Sequence, residues 1–197
     1  MNRVVHANPL RLPGHGLPVG DPRLPRYRIR VQPEWIDGNR HMNASYYLAA
    51  IKQPAIDLHQ YLDYGDDFRA RSGESNFVLE AQVVYLRELL LDDPVVITAR
   101  ITALGEKTMT VLFELIHEKH NYLAALVEYL LVHVALGPPP RTKAIPPGLH
   151  ARLHAAFIEH AQLSFPDGAN RLASMKFRKT EASSGNGAGK DGAGNRA

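Results

Sequence analysis

Apolar and polar positions alternate through most of the middle of this chain, and the period switches to that of a helix only twice. YRIRV, residues 27–31, alternates as a half-buried strand does. Past a polar stretch, Tyr47, Leu48, Ile51, Ala55, Leu58 and Leu62 fall on one face at helical spacing. Asn43 is placed to cap that helix, Gly65 follows its end, and Pro54 inside the pattern is expected to kink it or divide it in two. Residues 76–86 alternate again, with Phe77, Leu79, Ala81, Val83 and Tyr85 expected on one side and Glu80 and Gln82 on the other. Residues 95–104 place Ile97, Ala99 and Ile101 opposite Thr98, Arg100 and Thr102; a turn at 105–107 leads to a strand over 108–117 with Met109, Val111, Phe113 and Leu115 inward. YLAALVEYLLVHVAL, 122–136, has helical propensity, but it follows a hairpin-like turn at 119–121 and is read as a long fifth strand. Three prolines at 138–140 stop it, and a last helix is expected over 148–161. Strand, helix, four strands and a closing helix predict an α+β fold: a five-stranded antiparallel sheet wrapped around a long central helix.

Composition sets the domain limits. A chain of 197 residues suits one domain with tails. Residues 1–24, with four prolines and three glycines, read as an irregular arm; 25–167 form the expected domain; 168–197, ending SSGNGAGKDGAGNRA, read as a flexible low-complexity tail. Absence of cysteine excludes disulfides and thiolate metal sites. No signal-peptide pattern opens the chain and no apolar run is long enough to span a bilayer, so a cytoplasmic protein without a membrane partner is expected. The sequence pI near 9.2 suggests nucleic acid until the charge is located. Residues 1–24 carry net +2 and 168–197 net +4, whereas 25–167 carry net −3. The expected body is acidic, so no specific nucleic-acid partner is expected.

The polar stretch is WIDGNRHMNASYY, residues 35–47. It sets Asp37, Asn39, His41 and Asn43 at alternate positions where a strand hands over to a helix. Read by type alone, Asp37 is a turn acid and Asn43 a cap. Trp35, Tyr46 and Tyr47 flank the stretch and read first as packing residues.

Asp37-x-Asn39-x-His41-Met42-Asn43, together with the order of elements, resembles the hot-dog-fold acyl-CoA thioesterases of the 4-hydroxybenzoyl-CoA thioesterase type. The resemblance covers about residues 25–137 and includes Tyr85-Leu86-Arg87, Leu91-Asp92-Asp93-Pro94 and His133. Residues 33–47 look especially similar to the branch acting on betainyl-CoA in carnitine breakdown. Two departures stand out: Arg40 occupies the family's usual glycine position, and Ala44 follows Asn43 where many relatives have a second Asn.

The resemblance implies hydrolysis of a CoA thioester to acid and CoA without cofactor or metal. Asp37 is then the catalytic carboxylate, as nucleophile or as general base, and amides following Arg40 at the helix start are the oxyanion donors. Asn39, Arg40, His41, Asn43, Trp35 and Tyr46 become substrate-binding candidates, the two rings as cation–π partners for a quaternary ammonium. Sites at subunit junctions imply a homodimer or homotetramer, and an open sheet edge gives a physical reason for it. Other readings stay open. A hot-dog hydratase or dehydratase could use Asp37 and His41 on an enoyl-CoA, and a non-catalytic acyl-CoA-binding module would need neither. His150 and His154 are spaced as metal ligands but lack a third. Arg69, Arg71 and Arg87 are all candidates for CoA phosphates, with nothing to choose between them. The acyl group and the role of the basic tails are not legible.

Overall fold

The computed structural model describes residues 23–163. These fall within one compact unit, Met1–Pro166; the expected arm, apart from Arg23 and Leu24, and the expected tail lie outside the described residues.

Strands β1 (Arg26–Arg30), β2 (Glu74–Tyr85), β3 (Pro94–Leu104), β4 (Thr108–His117) and β5 (Tyr122–Ala135) make an antiparallel sheet in the order β1-β3-β4-β5-β2. A two-residue strand β6 (Arg141–Thr142) adds to the end of β5. The expected helix comes in two pieces, α1 (Ala44–Ala50) and α2 (Lys52–Tyr61), which meet at Ile51. Pro54 is the third residue of α2, where it has no N–H to bond back to Ala50, so the ladder breaks just ahead of it. A short helix α3 (Asp66–Ser72) precedes β2, and α4 (Pro147–Ala161) closes the fold against β3.

One apolar layer holds these parts together. Tyr47, Ile51 and Leu58 from the helices meet Ile97, Ala99, Val111, Phe113 and Val127 of the sheet, with Leu149 and Leu153 of α4 in the same cluster. The opposite face of the sheet is also buried, and it mixes apolar Val96, Leu112, Ile116 and Leu126 with polar Thr98, Arg100 and Glu114. Arg100 and Glu114 pair across β3 and β4 with side chains 1% and 0% exposed. This is the hot-dog fold.

Strand β2 departs from the expected alternation. Its register against β5 shifts between Val78 and Glu80, and an extra residue in one strand turns the following side chains to the other face. Beyond the shift, Val83 and Tyr85 sit opposite Val127 and Ala125, as expected; before it, Asn76 and Val78 take that face, opposite His133 and Leu131. Phe77 therefore does not share a face with Val83, and Leu79 is the extra residue at the shift. Strand β2 is also an edge, paired only with β5 among the described residues. Phe77, Val78 and Leu79 are consequently 43%, 51% and 60% exposed.

Candidate active site

Residues 35–43 fold as a small hairpin. Ile36 and Met42 form an antiparallel bridge, Asp37 N–H donates to His41 O at 3.0 Å, and Asn43 N–H donates to Trp35 O at 2.8 Å. The turn is closed by Arg40 N–H to Asp37 O at 3.0 Å and by Asn39 N–H to Asp37 Oδ1 at 2.8 Å. Met42 N–H then donates to Leu89 O at 2.8 Å, fastening the hairpin to the segment after β2. Asp37 thus does the job expected of a turn acid with Oδ1, while Oδ2 has no hydrogen-bond partner among the described residues.

Arg40 has φ 66°, the left-handed conformation that favours glycine. An L-residue pays about 1–2 kcal/mol for it. Arg40→Gly is therefore expected to unfold in urea within about 1 kcal/mol of the wild type, the relief of strain set against glycine's larger entropy loss. Arg40→Val should lose about 1–2 kcal/mol, because a β-branched side chain fits φ > 0 worse still. Equal stability of the two variants would contradict this account of the turn.

The amides are fewer than the sequence suggests. Asn43 caps α1: its Oδ1 accepts Ser45 N–H at 3.0 Å and Ser45 Oγ–H at 2.7 Å, and its carbonyl accepts Tyr46 N–H at 3.0 Å. With Met42 and Asn43 amides also engaged, the N–H groups of Gly38, His41 and Ala44 are those of residues 37–46 without a partner among the described residues. At seven residues, α1 adds only a short dipole, so any stabilisation of an anion rests on individual amides.

Of the flanking rings, Trp35 and Tyr46 stack on each other, centroids 5.9 Å apart and planes 20° apart, and both are half-buried. Tyr47 lies in the core, edge-on to Tyr85 at 5.0 Å, and burial pushes its phenol up to about 12. A cation held between two ring faces needs each centroid about 4–6 Å away on opposite sides. Trp35 and Tyr46 leave no such gap between them, so only their outer faces are available to a ligand.

The structure adds residues that spacing does not reveal. His41 Nε2 lies 3.2 Å from Glu88 Oε2. Tyr85 Oη–H donates to Ala44 O at 3.0 Å, tying the end of β2 to the first turn of α1. Tyr122 Oη–H donates to Glu88 O at 2.9 Å, and the Arg87 guanidinium sits 5.2 Å from the centroid of the Tyr122 ring. Nothing in the local sequence joins these groups to residues 35–47; only Tyr85 and Arg87 belong to a stretch singled out there.

The three arginines now differ. Arg69 is paired with Asp66 at 2.9 Å and Arg71 with Asp63 at 3.1 Å, whereas Arg87 has no carboxylate partner among the described residues and adjoins Glu88. His133 is not gathered with Asp37 within the chain. It lies by the start of β2, its Nδ1 2.6 Å from Tyr64 Oη and its Nε2 3.0 Å from Glu74 Oε2, with Lys143 on the other carboxylate oxygen. Burial pushes the Glu74 carboxyl up, but Lys143 and His133 outweigh it and hold the group below its ordinary value. The hairpin lies by the far end of β2, which at about 3.3 Å per residue is a strand more than 30 Å long. His150 and His154 stack at 6.4 Å, and no group of three or more His, Cys, Asp or Glu among the described residues is placed to hold a metal.

Comparison with known proteins agrees with this architecture. Residues 31–153 match the model of the thioesterase-like superfamily. The betainyl-CoA thioesterase of Pseudomonas aeruginosa is 28% identical over 149 residues, 76% of this chain and 93% of that protein. A hypothetical protein from Staphylococcus aureus, solved in complex with CoA, superposes with a TM-score of 0.67 at 19% identity, covering 78% of this chain and 94% of its own. The 1,4-dihydroxy-2-naphthoyl-CoA thioesterase from Synechocystis gives a TM-score of 0.58 at 14% identity over 70% of this chain and 98% of its own. The match spans well over half of the sequence, and with it the chain belongs to the thioesterase-like superfamily.

Proposed function

We propose that this protein is an acyl-CoA thioesterase whose chemistry is centred on Asp37. The observation that carries the reading is the Ile36–Met42 hairpin, which holds Asp37 Oδ2 and the Gly38 and His41 amides without a partner among the described residues and leads directly to Ala44 at the start of α1, whose amide is likewise without one among them. Hydrolysis needs both kinds of group: one to attack the carbonyl carbon or activate water, the other to take the charge that grows on oxygen. Asp37 Oδ2 is the attacking or activating atom in this reading, and the His41 and Ala44 amides are the donors. The oxyanion site is thus built of loop amides rather than of a row at a helix end. Asn39 and Asn43 shape the loop through Asp37 Oδ1 and Ser45, and Arg40 holds the turn.

Betainyl-CoA is the first ester to try, on the strength of the P. aeruginosa relative. The outer faces of Trp35 and Tyr46 offer a trimethylammonium group single-sided contacts worth about 0.5–1 kcal/mol each, which makes strong selectivity for that group an unexpected result. A second copy of the chain is the proposed partner. It would pair along the open edge of β2, covering Phe77, Val78, Leu79 and Tyr85, and sedimentation should give a dimer or tetramer. A monomer at micromolar concentration would count against that pairing.

The test is a thiol-release screen over short, aromatic, fatty, enoyl and betainyl CoA esters. Free thiol from at least one supports the reading. Hydrated enoyl product with CoA still attached would indicate hydratase chemistry, and binding without turnover a carrier module. Arg87→Ala is expected to raise KM for the CoA ester about tenfold, as loss of one charged hydrogen bond does, with little change for the same ester of pantetheine, which lacks the nucleotide. An equal rise on both esters would remove Arg87 from phosphate binding.

A further inference from the structure

His41 and Glu88 come from distant parts of the chain and meet at 3.2 Å beside Asp37. The two segments that carry them are held by contacts of their own. Glu88 has its carbonyl held by Tyr122, its neighbour Leu89 accepts the Met42 amide, and its neighbour Arg87 lies on the Tyr122 ring. His41 has its own carbonyl held by Asp37 N–H. Asp37 and Arg40 share the turn of His41, Arg87 and Tyr122 adjoin Glu88, and Tyr47 feels the charges of Glu88, Tyr85 and Tyr122. Among these, Glu88 is the carboxylate that meets the ring directly. An imidazolium with Nε2–H on a carboxylate keeps Nδ1–H free as a donor.

Resting on the thioesterase reading, we propose that His41 is the proton donor to the departing CoA sulfur and that Glu88 is its positioning residue. The step balances. One water proton passes to Asp37, or the acyl group first joins Asp37 and is then released by water. The C–O bond forms, the carbonyl electrons return from the oxyanion, the C–S bond breaks, and the sulfur takes the Nδ1 proton of His41. The proton from water restores His41 through solvent. Glu88 holds Nε2–H throughout and neutralises the charged form of the ring. In the hydrolase reading of the sequence His41 is a binding residue, and the hydratase alternative alone uses it chemically, because the acid that orients it is remote in the chain.

The test varies the leaving group. An alkyl thiolate such as CoA is basic and needs a donor, whereas an aryl thiolate such as thionitrobenzoate leaves well without one. With one acyl group on both thiols, Glu88→Gln is expected to lower kcat on the CoA ester about tenfold and on the aryl ester no more than about twofold, with KM nearly constant. His41→Gln should lose about a hundredfold on the CoA ester, and adding Glu88→Gln to it should cost almost nothing more. Glu88→Asp should recover part of the loss. Glu88 is 63% exposed in its side chain, and unaltered thermal melting will separate a chemical effect from a folding one. Equal losses on both esters, or additive losses in the double variant, overturn the dyad while leaving the hydrolase reading intact. A wild type inert toward every ester in the screen overturns both.

Discussion

Arg100→Met is expected to destabilise the protein by about 3–5 kcal/mol at neutral pH, the usual cost of removing one partner from a buried ion pair. The side chains of Arg100 and Glu114 are almost wholly buried, on the sheet face opposite the helices. Methionine keeps much of the volume but leaves the carboxylate without its guanidinium. Burial already pushes the Glu114 carboxyl above its ordinary value of 4.5, and the charge and hydrogen bond of Arg100 counter that only in part. An acid whose folded value is raised contributes stability that is complete below its unfolded value and is lost as pH rises through the folded one. Without Arg100 the folded value climbs further, so the variant's deficit should be smallest near about pH 4 and widen toward pH 7. Urea unfolding at about pH 5 and pH 7.5 reads the difference directly. Arg100→Met combined with Glu114→Leu should regain most of the loss, because a well-packed apolar pair often replaces a buried ion pair without penalty. A deficit independent of pH would mean that lost packing, not the buried carboxylate left without Arg100, dominates.

That pair also marks a boundary of what the sequence tells. The alternation of β3 was legible, Thr98, Arg100 and Thr102 opposite Ile97, Ala99 and Ile101, but a polar face reads as solvent, and Thr98 and Arg100 are 0% and 1% exposed. Strand β4 fell within its expected bounds, since Met109, Val111, Phe113 and Leu115 all join the core. The parity of β2 was not available, because its register shift is fixed by pairing with β5 rather than by its own residues. Helix α3 escaped because only Phe68 of its seven residues is buried, too little for a period. Its signals were still present: Asp66 and Asp67 in the first turn, and Gly73 at φ 65° after the last.

The site divides in the same way. Asn43 as a cap and the conformational demand at Arg40 follow from local chemistry, and the coordinates carry both. The hydrogen bond from Met42 to Leu89 is long-range, and it brings Glu88 to His41. No spacing rule would have named that acid.

Asp37→Asn is the second large effect, expected to lower kcat by about 10²–10⁴ with KM for the CoA ester nearly unchanged. The substitution is close to isosteric, and the asparagine Oδ1 can still accept the Asn39 amide at its present position, so the turn should survive. What the amide cannot do is attack a carbonyl or take a proton from water. A loss confined to kcat therefore locates the fault in the chemical step rather than in the loop, and an unchanged melting temperature would confirm that the hairpin is intact. The most direct measurement is the steady rate of thiol release at saturating ester, wild type and Asp37→Asn side by side. A fall of at least about a hundredfold is the expected result; turnover by the variant at the wild-type rate would contradict a mechanism centred on this carboxylate.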